Sequence, residues 1–74
     1  MKGTMTKFYI TDGKHRFVIA KESQADALNA YAKFWLGKGV ELNPSIAIGE
    51  RGFDSAEANG DIVKTHDVLR RVST

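Results

Sequence analysis

Residues 7–20, KFYITDGKHRFVIA, decide the fold of this chain, because two runs of alternating polar and apolar residues flank Asp12 and Gly13. In a strand, successive side chains point to opposite faces of the sheet, so each run has an apolar and a polar face. An Asp-Gly pair favours a two-residue type I′ turn, whose central residues both need positive φ. The stretch therefore predicts a β-hairpin with Asp12 and Gly13 at its tip.

The predicted turn also fixes the register of the hairpin. It places Tyr9 opposite Arg16, and Phe8 opposite Phe17 as a closely spaced, non-hydrogen-bonded pair. The apolar face then carries Phe8, Ile10, Phe17 and Ile19, and the other face carries Lys7, Tyr9, Lys14, Arg16 and Val18. We expect the apolar face to lie on the core and the second face to meet water or a partner.

A helix is predicted after the hairpin, over residues 24 to 36. Ser23 is its expected N-cap, with Asp26 three residues later in a weak capping box, and Gly37 and Gly39 end it, one of them in the left-handed conformation. Helical spacing gives one apolar stripe with two residues beside it: Leu28, Tyr31, Ala32 and Trp35, flanked by Ala25 and Leu36. This stripe is expected to cover the apolar face of the hairpin.

The second half of the chain is harder to interpret. Residues 45–49 are predicted to form a strand, because they are rich in β-branched residues. Within residues 50–61, Asn59-Gly60 either closes a single helical turn or turns a second hairpin, and we favour the loop with a helical turn. Residues 62–64 then form a last short strand, and Thr65 caps a C-terminal helical turn.

These elements predict a small α+β, two-layer domain of order β-β-α-β-β. One main helix, about 24–36, packs on one face of an antiparallel or mixed sheet and leaves the other face bare, and a short C-terminal helix is an option. We expect one domain over residues 1–74, with 1–5 as a loose leader. No segment approaches the roughly 18 apolar residues that span a bilayer, and the cysteine-free composition suits a reducing cytoplasm, so a cytoplasmic protein without a membrane partner is expected.

Charge is distributed unevenly along the chain. The net charge is +2, but residues 1–38 carry seven basic and three acidic side chains, whereas residues 39–74 carry four basic and six acidic ones. The two halves are therefore expected to present opposite potentials. The net charge alone is too small to indicate a nucleic-acid partner.

The polar face of the hairpin is the first candidate site, because Tyr9 lies there among Lys7, Lys14 and Arg16. Single-stranded nucleic acid binds such surfaces elsewhere, since bases stack on aromatic rings for roughly 1 to 3 kcal/mol each while cations follow the phosphates. The same residues equally suit an ordinary cross-strand pair and a sheet whose cations suppress aggregation. No sequence signature of RNA-recognition sheets accompanies them.

Two further segments carry candidate contact residues. Phe34, next to Trp35 near the helix end, forms with Leu36 a contact patch for a partner or a second copy, or else packs under a loop. Arg51 and Phe53 are predicted to lie on a mobile loop that contacts another protein, the alternative being a solvated loop.

Catalytic, metal and cofactor sites are not predicted. The acidic loop 50–61 lacks the ligand spacing of an EF-hand, and neither His15 nor His66 stands in a spacing that suggests a base and a nucleophile. Gly37-Lys38-Gly39 follows its helix, whereas a phosphate-binding loop precedes one. We therefore expect no catalytic residues, no metal and no cofactor.

The chain contains no family motif, but in size and manner it is similar to small accessory proteins of bacteriophages and mobile elements, including anti-CRISPR and other host-directed inhibitors. Those proteins are short, cysteine-free, compact α+β domains without catalytic residues. The resemblance implies a non-catalytic inhibitor that occupies a surface of another macromolecule, and it names no residue. A protein partner is the leading hypothesis, nucleic-acid binding by the basic, aromatic sheet face is the alternative, and a structural homodimer is the third.

Overall fold

A computed structural model describes residues 5–73, with side chains through residue 72. Its elements in chain order are β1 (Thr6–Thr11), β2 (Arg16–Lys21), α1 (Gln24–Gly37), β3 (Ser45–Gly49), α2 (Phe53–Asn59), β4 (Asp61–Lys64) and α3 (Thr65–Ser73). The strands form one antiparallel sheet of order β2-β1-β3-β4. The predicted class and element order are confirmed, and the C-terminal helix is present. Of the predicted leader, residues 1–4 lie outside the described residues.

The hairpin forms with a register two residues away from the predicted one. Phe8 pairs with Ile19, and Ile10 pairs with Phe17, so the predicted Phe8–Phe17 and Tyr9–Arg16 pairs are wrong. A shift of two residues preserves the alternation of side chains, whereas a shift of one would exchange the faces. The predicted separation into an apolar and a polar face therefore survives the error in register.

The turn centres on Gly13 and Lys14 instead of Asp12 and Gly13. Gly13 has a φ of 95°, and no non-glycine residue in the described part of the chain has a positive φ. Glycine at the first central position is typical of a type II′ turn, which needs positive φ at that position alone. Lys14 therefore belongs to the turn and not, as predicted, to the polar face of the sheet.

Hydrogen bonds to Asp12 explain why the turn lies one residue later than predicted. Its Oδ1 accepts the backbone N–H groups of Lys14 at 2.9 Å and His15 at 2.6 Å, and its Oδ2 accepts that of Asn43 at 2.8 Å. Asn43 Nδ2 donates in return to the Asp12 carbonyl oxygen at 2.8 Å. A position at the tip of the turn would leave this carboxylate in water, whereas here its side chain is fully buried and satisfied.

Helix α1 begins and ends close to the predicted residues. The Ser23 Oγ accepts the backbone N–H of Asp26 at 3.2 Å, which confirms the N-cap. After the helix ends at Gly37, Gly39 takes the left-handed conformation with φ of 69°, and its N–H donates to the Leu36 carbonyl.

The core lies between α1, α3 and the apolar face of the sheet. Its buried members are Phe8, Ile10, Ala27, Leu28, Tyr31, Ala32, Ile46, Ile48 and Val68. Ala27 takes the flanking place predicted for Ala25 and Leu36, both of which are exposed. The reason is helical geometry: Ala27 lies one turn before Tyr31 on the same face of the helix.

The second face of the sheet is partly covered by α2 and is not bare as predicted. Gly49 pairs with Tyr9 and therefore shares its face. A Cβ at Gly49 would lie 3.0 Å from the Ala56 Cα and 3.1 Å from its Cβ, so α2 packs directly against that face. Residues 50–60 thus form a docked helix with short connections, as the preferred interpretation partly anticipated, and the hairpin alternative is wrong.

Candidate functional site

Four side chains from three elements meet on the face that carries Tyr9, and we call them the cation–aromatic patch: Lys7, Tyr9, Arg16 and Phe53. The ring centroids of Tyr9 and Phe53 are 5.4 Å apart with an interplanar angle of 87°, an edge-to-face contact. Lys7 Nζ lies 5.5 Å from the centroid of the Tyr9 ring, and Arg16 Cζ lies 5.2 Å from that of Phe53. Both cations are exposed and both rings are half-buried.

Local structure determines the position of each member of the patch. Tyr9 and Lys7 point to the same face because they are two residues apart in β1. Arg16 joins them because it pairs with Thr11, which shares that face. Phe53 is brought over the sheet by Gly52, whose φ of 140° lets the chain turn into α2 in a conformation that other residues rarely adopt.

The patch unites two surfaces that the sequence presented separately. The sequence predicts Tyr9 and Arg16 on the sheet face and Phe53 on a mobile contact loop. In the structure Phe53 is the first residue of α2 and its ring contacts Tyr9, so it is part of the sheet surface and not of a free loop. Packing α2 onto the sheet therefore produces one continuous surface.

The cations limit what the rings can do chemically. A cation above a ring face is worth about 0.5 to 1 kcal/mol at an exposed site. Because Lys7 and Arg16 already lie over the two rings, a nucleic-acid base would have to displace them before it could stack. The arrangement instead offers cationic hydrogen-bond donors held in place by aromatic rings, which suits a partner with carboxylates beside an apolar spot.

The remaining predicted site residues lie elsewhere. Lys14 is exposed at the hairpin turn, and Arg51 is exposed in the loop before α2. Phe34 is 41% exposed on the α1 side of the sheet. Its ring lies 5.0 Å from that of Phe17 and 4.9 Å from that of Trp35, with Lys38 Nζ 5.0 Å from its centroid. Phe34 is therefore an exposed aromatic on the opposite side of β2 from the patch, whose own rings are half-buried.

The structure also contains a cleft that the sequence did not reveal. It has a volume of about 470 Å³ and lies between the start of α1, the end of β3 and α2. Its lining is mostly polar: Gln24, Glu50, Arg51, Ser55, Asn59 and Asp61, with Phe8, Ile48, Gly49 and Gly60. Within residues 5–72 no three acidic or histidine side chains are close enough to hold a metal ion.

Asp12 and His15 form a side-chain pair that was not predicted from the sequence. His15 Nδ1 lies 3.3 Å from Asp12 Oδ2, and the imidazole packs on Trp35 with centroids 4.7 Å apart. Burial alone would raise the pKa of Asp12, but the hydrogen bonds from the backbones of Asn43, His15 and Lys14 and from the His15 ring outweigh it and lower that pKa to about 2. Asp12 is thus a buried charge that anchors the turn. The separation of three residues between Asp12 and His15 was the feature of the sequence from which their pairing could have been predicted.

Tyr31 lies in the field of this buried charge. Burial raises the pKa of its hydroxyl well above the ordinary value, and the negative charge of Asp12 raises it further. In the part of the chain that the structure describes, neither the Tyr31 hydroxyl nor Trp35 Nε1 has a hydrogen-bond partner, although both are buried. Tyr31 therefore acts as a neutral core residue.

Comparisons with known proteins add no relative to these geometric observations. A scan against protein-family models, a search of curated proteins and a search of solved structures each return no match to the chain. Among the described residues, no helix has the length and apolar character needed to cross a membrane.

Proposed function

We propose that this chain is a non-catalytic binding protein that acts by occupying a surface of another protein through the cation–aromatic patch. The observation that carries the proposal is the meeting of Tyr9 and Phe53, which come from distant segments and are each accompanied by a cation. Tyrosine, phenylalanine and arginine are enriched at protein interfaces, where rigid rings supply contact area at low entropic cost. The similarity in size and manner to phage and mobile-element proteins suggests a host-directed inhibitor in the cytoplasm.

A protein partner is favoured over nucleic acid because of how the rings are covered. Stacking of bases requires free ring faces, and Lys7 and Arg16 lie over those faces here. Carboxylates of a protein partner can instead bind the same cations without displacing them from the rings. Exposed Val18, adjacent to Tyr9 across the β1–β2 pair, adds an apolar contact beside them.

The proposal is tested by affinity capture from lysate of the native host, with and without nuclease, followed by mass spectrometry. We expect one stoichiometric protein that survives nuclease treatment. Lys7→Glu and Phe53→Ala should each reduce its recovery by at least about tenfold, since interface anchors commonly contribute more than 1 kcal/mol. Lys64→Glu is the matched control, because Lys64 lies on the same sheet face but on the distant strand β4. If the patch variants and the control behave alike, the proposal fails.

Direct nucleic-acid binding is the competing outcome. Binding through Lys7 and Arg16 to phosphates would weaken steeply with salt, because bound counterions are released. A titration with labelled single-stranded DNA and RNA at two ionic strengths separates the two functions. A salt-sensitive complex that Arg16→Glu abolishes, together with loss of the captured protein on nuclease treatment, would replace the protein-binding proposal.

A further inference from the structure

Strand β2 is an open edge of the sheet. In the described part of the chain β1 is the one strand that pairs with it. The Asp12 N–H donates to the His15 carbonyl oxygen at 3.4 Å, which identifies that facing pair as hydrogen-bonded. Because bonded and non-bonded pairs alternate along an antiparallel ladder, Arg16, Val18 and Ala20 direct their backbone N–H and C=O groups away from β1. These groups form a row available to another strand.

The side chains on the two sides of this edge differ in character. On the patch side, Arg16, Val18 and Ala20 are exposed, and Val18 retains 42% of its accessible surface. On the α1 side, Phe17 is half-buried and its ring contacts the exposed ring of Phe34. An added strand would therefore meet Arg16 with the apolar Val18 and Ala20 on one side and the Phe17–Phe34 ring pair on the other.

We propose that β2 is the docking site for an extended, acidic segment of a partner protein, which joins the sheet as a fifth strand. The inference rests on the proposed function, because it specifies how that partner is held. Strand addition derives affinity from main-chain hydrogen bonds and specificity from alternate side chains. The fitting segment places a carboxylate beside Arg16 and aliphatic residues on the α1 side beside Phe17.

Charge complementarity selects this occupant. The hairpin carries four basic side chains, Lys7, Lys14, Arg16 and Lys21, and its one carboxylate, Asp12, is buried in hydrogen bonds to the turn. A second copy of this chain joined at β2 would double the number of basic side chains on one sheet without adding an exposed carboxylate from its hairpin, so the electrostatic repulsion would rise. An acidic segment of another protein meets no such penalty.

The other edge of the sheet is less suited to the same role. Strand β4 has four residues, begins with the carboxylate of Asp61 and continues directly into α3. At that junction Thr65 N–H donates to the Pro44 carbonyl at 2.8 Å, and its hydroxyl donates to the Asn43 carbonyl. Short edges of this kind resist strand addition.

A model peptide tests the inference directly. The probe is a capped heptapeptide of alternating glutamate and valine, titrated into the whole protein and followed by amide NMR and hydrogen exchange. We expect saturable binding with protection of the amides of Arg16, Val18 and Ala20. The matched heptapeptide of alternating lysine and valine should bind at least about tenfold more weakly, because it opposes the hairpin charge. Absence of binding up to about 1 mM, or protection confined to α2, would overturn the inference.

Two changes test the main-chain contact itself. Val18→Pro removes an outward N–H and no bond to β1, and edge strands tolerate proline there. We expect it to weaken the acidic peptide at least about tenfold, while Val18→Ala has little effect. If Val18→Pro unfolds the protein, N-methylation of alternate probe residues gives the same test on the peptide side. N-methylation of one set of alternate residues should weaken binding and methylation of the other set should not, and unchanged affinity for both methylated peptides would contradict strand addition.

The native partner distinguishes failure of this inference from failure of the proposed function. Loss of capture with Lys7→Glu but not with folded Val18→Pro would retain the patch and reject the fifth strand. Recovery of no protein by the unaltered chain would reject the proposed function itself. A concentration-dependent dimer in sedimentation that Val18→Pro dissolves would assign the β2 edge to a second copy and reject the acidic segment.

Discussion

The two faces of the sheet are built from the same strands but differ in what they contribute. Ile10 and Ile48, on the face under α1, are at most 1% exposed. On the opposite face Tyr9 is half-buried, and Ile62 is 61% exposed, because the seven-residue α2 covers only part of it. Burial of apolar surface, the dominant source of stability, is therefore concentrated on one face. The other face retains side chains that a partner can contact.

The largest expected effect tests this division of stability. Ile10→Ala should lower the free energy of unfolding by about 2 to 5 kcal/mol, because it creates a cavity in the centre of the core. Val18→Ala, one strand away on the other face, should lower it by less than about 0.5 kcal/mol, as expected of an exposed position. Urea denaturation followed by circular dichroism measures both values. Similar losses of unfolding free energy for the two variants would mean that both faces of the sheet contribute equally to stability.

Acid should lower the free energy of unfolding through a group on the α1 side of the sheet, the buried carboxylate of Asp12. Its pKa falls from an ordinary 3.8 to about 2 on folding, so the charged form stabilises the fold. That contribution, on the order of 2 to 3 kcal/mol, is complete above about pH 4 and is lost as the pH falls towards 2.

Denaturation midpoints between pH 2 and pH 6 measure the acid effect. In Asp12→Asn the stability at pH 6 should decrease and the slope below pH 4 should flatten, because the substituted side chain does not titrate. Glu57→Gln, which alters an exposed carboxylate on α2, is the control and should retain the slope of the unaltered chain. An unchanged acid slope in Asp12→Asn would mean that another group is responsible.

The sequence predicted the two faces for a reason that also explains the error in register. Period-two alternation assigns Phe8 and Tyr9 to opposite faces, and any slip by an even number of residues leaves that assignment intact. The location of the turn depended instead on Asn43, which lies 31 residues beyond Asp12 and binds its carboxylate. Local turn preference favoured Asp12-Gly13, and a distant hydrogen bond overrode it.

The candidate site was predictable in its residues but not in its assembly. Lys7, Tyr9 and Arg16 follow from alternation, and the sequence predicts Phe53 as a contact residue on a mobile loop. Their union depends on the close approach of Ala56 to Gly49. Nothing in the local sequence around Gly49 or Ala56 predicts that they pack together, because this contact depends on the folded surface and not on local propensity. The place of Phe34 beside an open sheet edge likewise follows from the strand order, which the sequence did not predict.

The smallest expected effect concerns the contact that joins α2 to the sheet. Phe53→Ala removes a half-buried ring and its edge-to-face contact with Tyr9, a pair worth roughly 0.5 to 1.5 kcal/mol beyond the area that it buries. We expect a loss of about 1 to 2 kcal/mol in the free energy of unfolding, with Phe53→Leu losing less because it keeps most of the apolar surface. Urea denaturation measures the free energy of unfolding, and NMR of the Tyr9 ring monitors the loss of its contact with Phe53. A loss in the free energy of unfolding as large as that of Ile10→Ala would show that α2 completes a second core. The main role of the patch would then be to stabilise the fold and not to bind a partner.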